Sequence, residues 1–184
     1  MVNFTAKTVY FTRVIDETVQ DDFFRLVSEK KNTKKENKMN RLNLITLGTK
    51  DIVKSHQFFK ELGFDTSIRG TESNPFIIFF RNEGTRIALY PLEDLIRDVN
   101  KDIPPAVTNG FPGITLAYNA KSIEEVDEIM KRAELAGATI QKVPKKTDWG
   151  GYGGYFTDLD GYYWEVAYGE DWEFDESNML VIHD

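Results

Sequence analysis

One carboxylate stands out by its neighbours. Glu165 lies in Tyr155-Phe156-Thr157-Asp158-Leu159-Asp160-Gly161-Tyr162-Tyr163-Trp164-Glu165-Val166, a stretch dense in aromatic residues, with Trp149 and Tyr152 just before it. A glutamate desolvated among aromatic walls has its charged form disfavoured, which raises its pKa and suits it to act as a general base or a hydrogen-bond anchor. Trp149, Tyr152, Tyr155 and Tyr163 would offer flat faces to a planar or cationic organic ligand. The plainer alternative is that the aromatics fill a core, while Glu165 pairs with Arg41 or Arg86 or faces solvent. Asp158 and Asp160 precede Gly161 and suit a turn. A relocated, oxygen-only Mg²⁺ site built on them is the competing reading.

Other chemistry is sparse. The chain has no cysteine, so disulfides, a thiol nucleophile and cysteine-ligated metal sites are excluded. Its two histidines are His56, inside a helical pattern, and His183, in the tail. One carboxylate without an imidazole cannot hold Zn²⁺ or Ni²⁺ tightly, because such sites use at least three protein ligands. No cofactor is implied, although a divalent metal at an unusual site stays open. The run Trp149-Gly150-Gly151-Tyr152-Gly153-Gly154 lacks the lysine of a phosphate-binding loop; it reads either as a flexible lid or as a wide turn.

The 184 residues allow one domain plus an appendage, and 41% hydrophobic content is enough for a core. The net charge of −7 is uneven: residues 1–38 carry +2 and the remainder −9. An acidic body repels phosphate backbones, so nucleic acid is not an expected partner. No apolar run reaches the roughly 18 residues of a membrane span, and a soluble, cytoplasmic protein is the expectation.

The elements that must position these residues come in two sets. Residues 1–38 read as a separate N-terminal extension, with a strand at 8–12, a short helix at 19–27 and a polar linker at 30–38. The main domain, residues 39–184, carries one module twice. Module one, about 39–91, predicts a strand near Arg41–Leu47, a helix from Asp51 to Gly63, and strands at Thr66–Arg69, Phe76–Phe80 and Arg86–Tyr90 around an Asn82-Glu83-Gly84 turn. A connection holding three prolines follows, with a short helix at Leu92–Val99. Module two, about 112–168, predicts a strand at Ile114–Tyr118, a helix from Ser122 to Ala136 opened by a Ser122/Glu125 capping box, a short strand at Thr139–Lys142, and the Tyr155–Tyr168 hairpin. The tail, 169–184, is too apolar to be free. Ile45-Thr46-Leu47 echoes Ile114-Thr115-Leu116, and aligning Gly84 with Gly161 sets Ala88 opposite Glu165.

Leu47-Gly48-Thr49-Lys50-Asp51, then Lys54-Ser55 and Phe58-Phe59-Lys60-Glu61-Leu62-Gly63-Phe64, resembles the first module of the vicinal oxygen chelate superfamily, which includes glyoxalase I, bleomycin-resistance proteins and extradiol dioxygenases. The aromatic-x-D-x-D-G-x-x-x-E run from Phe156 to Glu165 resembles its closing hairpin. The resemblance covers about residues 39–184. It implies an α+β fold in which two βαβββ modules pair into a curved, half-open mixed sheet around a cleft. It also implies a homodimer, because the family often pairs modules across subunits. Enzymatic members hold a divalent metal on four equivalent strands. Those positions fall here on Leu44, Ala88, Gly113 and Glu165, of which only Glu165 can ligate. Thr46, Tyr90 and Thr115 share the strand parity of the lost ligands and join the candidate binding residues.

Three functions follow. The first is a metal-independent binder of a small organic molecule, similar to the bleomycin-resistance branch, using Thr46, Tyr90, Thr115, Trp149, Tyr152, Tyr155, Tyr163 and Glu165. The second is a glyoxalase-like lyase or isomerase with a divergent metal site or with Glu165 as catalytic base. The third is a dimeric interaction module with a filled cleft.

Overall fold

The computed structural model describes residues 41–108 and 110–183. The strand, helix and linker expected within residues 1–38 lie outside the described residues. Strand β1 (Leu44–Thr49), helix α1 (Ile52–Glu61) and strands β2 (Thr66–Thr71), β3 (Asn74–Phe80) and β4 (Arg86–Pro91) form the first module. Helix α2 (Leu92–Val99) leads toward the second, which runs β5 (Thr115–Asn119), α3 (Ile123–Leu135), β6 (Thr139–Lys146), β7 (Tyr152–Thr157) and β8 (Tyr163–Tyr168). Each module is a four-stranded mixed sheet, ordered β1-β4-β3-β2 and β5-β8-β7-β6. In each, the first strand runs parallel to the last and the remaining pairs are antiparallel. The arrangement is an open α+β fold of two βαβββ units. No described helix is long and apolar enough to cross a membrane.

Local chemistry accounts for the helix ends. The Asp51 side chain accepts from the Lys54 amide at 3.1 Å and caps α1, and Gly63, at φ +99°, ends it in the left-handed region. Ser122 Oγ accepts from the Glu125 amide at 3.1 Å, as the capping box predicts. The reciprocal bond differs: Glu125 Oε2 accepts from the Lys121 amide at 2.7 Å, and Oε1 is taken by the Tyr118 hydroxyl.

Strand alternation gives each sheet a helix-side face and an opposite face. Leu47, Ile78, Phe80, Ile87 and Leu89 of the first sheet and Phe156, Trp164 and Val166 of the second are buried in one core with Phe58, Phe59, Val126 and Met130 of the helices. Aromatic edges join the modules there: Phe58 meets Phe156 at 6.5 Å and Phe59 meets Trp164 at 5.6 Å between ring centroids. The helix-side faces therefore point toward each other, and the opposite faces point away.

Two expectations need correction. The Trp149–Gly154 run is half turn and half strand: Trp149 and Gly150 lie in the turn after β6, where the Gly150 amide donates to the Thr147 carbonyl oxygen at 3.1 Å, while Tyr152, Gly153 and Gly154 are the first half of β7. A Cβ on Gly154 would lie 2.5 Å from the Lys142 carbonyl oxygen, so the glycine permits close approach of β6. The Ile-Thr-Leu echo is also out of structural register. Thr46 pairs with Ala88, whereas Glu165 pairs with Ala117, so the counterpart of Thr46 is Ala117 rather than Thr115. The helix caps Asp51 and Ser122 keep the same offset as Thr46 and Ala117. The third lost ligand position therefore falls on Thr115 instead of Gly113, which lies before β5 at φ +77°.

Candidate functional site

Glu165 sits in the middle of β8, between Tyr155 of β7 and Ala117 of β5. Alternation turns it to the face opposite Trp164 and Val166. Tyr155 Oη donates to Glu165 Oε1 at 2.5 Å, and neither Arg41 nor Arg86 pairs with the carboxylate. That bond, made to a carboxylate acceptor, raises the Tyr155 pKa to about 12, so the phenol stays protonated and donating at neutral pH. Glu165 Oε2 has no hydrogen-bond partner among the described residues. Both side chains are half-buried.

Two further residues complete this face. Lys142 of β6 stands opposite Tyr155 in register, and its Nζ lies 5.6 Å from the Tyr155 ring centroid. Tyr163 meets Phe111 edge-to-face, with centroids 5.0 Å apart. Lys142 and Phe111 were not legible as site residues: Lys142 lies in a strand whose register slips at a bulge, and Phe111 lies in the connection before β5. Thr115 and Ala117, on the edge strand, are exposed.

The first module repeats the layout with different chemistry. Ala88 occupies the Glu165 position, between Thr46 and Phe79. Arg69 lies over the Phe79 ring at 5.8 Å, where the second module sets Lys142 over Tyr155. Tyr90 is on the same face, and the Asp98 carboxylate of α2 raises its pKa. A Cβ on Gly48 would lie 2.7 Å from Leu92 Cδ1, so α2 closes this end of the face.

The structure thus groups Tyr155, Tyr163, Glu165 and Thr115 on one face and Thr46 and Tyr90 on its counterpart. Tyr152 and Trp149 stand elsewhere. Tyr152 is three residues from Tyr155 in one strand, so it points to the helix side, where its hydroxyl donates to Asp127 Oδ1 at 2.9 Å. Trp149 stacks on Trp172 of the tail, with centroids 5.6 Å apart and planes inclined by 13°.

The donor set does not suit a metal. Leu44, Ala88 and Thr115 stand at three of the four family positions, and among the described residues no three His, Asp or Glu side chains are placed to share an ion. His56 bonds Thr66 Oγ1 at 2.8 Å, and His183 pairs with Glu173. Asp158 and Asp160 are committed to structure: Asp158 Oδ2 accepts from Trp164 Nε1 at 3.0 Å, and Asp160 Oδ2 accepts from Ser55 Oγ at 2.6 Å.

A family model described as the glyoxalase/bleomycin resistance protein/dioxygenase superfamily matches residues 41–166, more than half of the chain. Among solved structures, a glyoxalase-related enzyme from Fulvimarina pelagi is 29% identical, covering 79% of this chain and 100% of its own at a TM-score of 0.69. A glyoxalase/bleomycin resistance protein/dioxygenase from Nocardioides is 21% identical, covering 81% of this chain and 94% of its own at a TM-score of 0.59. Lactoylglutathione lyase from Agrobacterium tumefaciens is 23% identical, covering 73% and 98% at a TM-score of 0.54. The last two likenesses speak to the fold alone. No curated protein matches the sequence.

Proposed function

The chain belongs to the glyoxalase/bleomycin resistance protein/dioxygenase superfamily, and we propose that within it this protein is a metal-independent binder of a planar or cationic organic molecule. The observation that carries the reading is the Tyr155–Glu165 pair. One carboxylate oxygen is fixed by the phenol at 2.5 Å, and the other is left to accept from a ligand N–H or ammonium group. Tyr163 and Phe111 supply the flat surface beside it. With Leu44, Ala88 and Thr115 in place of ligands, the arrangement binds through hydrogen bonds and stacking.

Each module offers half a cleft, and the two halves point away from the shared core. A second copy of the chain would set the Thr46–Ala88–Tyr90 face of one subunit over the Thr115–Tyr155–Tyr163–Glu165 face of the other. A homodimer is therefore part of the proposal, with the small molecule between the two faces.

A thermal-shift screen of planar aromatic amines and their neutral isosteres tests this reading, paired with metal analysis of protein purified without chelators. The expected result is stabilisation by amines that is lost in Glu165→Gln, with no stoichiometric divalent metal. Bound metal, or product formation abolished by Glu165→Gln, would replace the binder with a lyase or isomerase that uses Glu165 as ligand or base.

A further inference from the structure

On the helix side of the second sheet, behind Glu165, lies a crevice of about 240 Å³ that belongs to neither half-cleft. Leu62, Gly63 and Phe64, from the turn after α1, form one wall, and Ile129 and Arg132 of α3 form another. Its floor is aromatic: Phe156 and Trp164 lie parallel, inclined by 3° with centroids 6.1 Å apart, and Phe64 leans on Trp164 at 6.4 Å.

The charge in this crevice is unbalanced. Arg132 is the one charged residue lining it. Its guanidinium makes one long bond among the described residues, from Nη1 to the Leu62 carbonyl oxygen at 3.4 Å, and no described acidic side chain pairs with it. A guanidinium carries five N–H donors in a planar fork that matches a carboxylate. Gly63 keeps its approach open, since a Cβ there would lie 3.3 Å from Arg132 Nη1. The other polar group, the Tyr118 hydroxyl, is spent on Glu125 at 2.5 Å. An apolar slot ending at an unpaired guanidinium fits a small anion with a hydrophobic body. Its volume lies just below the range of drug-sized sites, which limits that body to about one ring or a short chain.

We propose that this crevice is a second binding site, taking a small monocarboxylate with an aromatic or short acyl body. The carboxylate pairs with Arg132, and the body lies against Phe64, Ile129 and Trp164. This site is independent of Glu165, so it stands or falls separately from the function proposed above.

Calorimetric titration of the full chain with 3-phenylpropionate and with the neutral 3-phenylpropan-1-ol tests it. The acid should bind saturably and roughly tenfold or more tightly than the alcohol, as a charge-assisted bidentate contact allows. Arg132→Gln should erase that preference, Ile129→Trp should block both compounds by filling the slot, and Glu165→Gln should change neither. If Arg132→Gln folds poorly, Arg132→Lys gives the same reading: weakened acid binding with unchanged alcohol binding supports the site, and unchanged acid binding overturns it. Equal affinity for acid and alcohol, no saturable heat at millimolar ligand, or loss of binding in Glu165→Gln would each overturn the proposal.

Discussion

Asp158, Asp160 and Glu165 lie within one hairpin yet do three different things. Asp158 is buried, accepts from Trp164 Nε1 and from the amides of Asp160 and Tyr162, each at 3.0 Å, and has its pKa pushed up to about 6 by desolvation. A carboxyl raised above its unfolded value of 3.8 favours the native state while both states are protonated. That contribution is complete below about pH 4 and is lost as pH rises through about 6, and a shift of this size corresponds to about 3 kcal/mol. Chemical denaturation between pH 4 and pH 7 should show this component falling with pH, and Asp158→Asn should remove it. A wild-type slope retained in Asp158→Asn would assign the effect to other groups. Glu165 faces the opposite way and meets solvent. Glu165→Gln keeps its shape and loses its charge, so stability should change by less than about 1 kcal/mol, while affinity for an aromatic amine falls roughly tenfold. Tyr155→Phe should have a smaller effect on binding of the same sign. These roles were only partly visible beforehand. The turn function of both aspartates followed from Gly161, but the Asp158–Trp164 bond needs a hairpin closed in register, which residue types do not specify.

At the scale of elements, Asp160 ties the second module to the first. Its Oδ1 accepts from the Lys50 amide at 2.8 Å and its Oδ2 from Ser55 Oγ at 2.6 Å, so a carboxylate from the β7–β8 turn sits at the N-terminus of α1 beside the helix's own cap, Asp51. The Tyr162 hydroxyl adds a bond to the Gly48 carbonyl oxygen at 3.0 Å. Asp160→Ala should lower stability by about 1–2 kcal/mol, as loss of a capping carboxylate does. Combined with Ser55→Ala, the loss should be less than additive, because both variants remove the same bond. Strict additivity in a double-mutant cycle would show that the contact carries no energy. Most elements were legible here because their signals are local: a cap at Asp51, a glycine stop at Gly63, and hydrophobic periodicity through Phe58, Phe59 and Leu62. The glycine-rich run is harder to read because its first half is a turn and its second half, from Tyr152, is strand. Extended back to Tyr152, β7 places Tyr152 and Tyr155 on opposite faces by alternation alone. The Ile-Thr-Leu echo misled because similar triplets need not share a register, and only the pairings of Thr46 and Ala117 reveal the offset.

For the whole molecule, the tail and the open edges matter most. The tail spans the modules: Asn178 accepts from Lys121 Nζ at 2.6 Å and donates to Glu83, while Met179 packs on Gly84. It helps enclose a cavity of about 670 Å³ between the first module's helix-side face and β5. The tail packs on the body, as its apolar content required, although it forms only an isolated bridge between Phe174 and Leu180. The parallel partners β1 and β5 each end a sheet, and apolar side chains cluster where they begin: Leu42, Phe111 and Ile114 are 65%, 59% and 63% exposed. Open strand edges beside exposed apolar residues are costly in a monomer and are the usual material of an interface. Sedimentation of the full chain should therefore give a dimer, and the double variant Leu42→Glu/Ile114→Glu, which leaves Phe111 in place, should give a folded monomer. Because a half-cleft offers a ligand one wall, that monomer should bind an aromatic amine at least about tenfold more weakly even though Tyr155 and Glu165 are intact. Glu165→Gln, by contrast, should lose the ligand and remain a dimer. A monomer that binds as tightly as the parent would show that one face suffices, and the second copy would then have no part in the site.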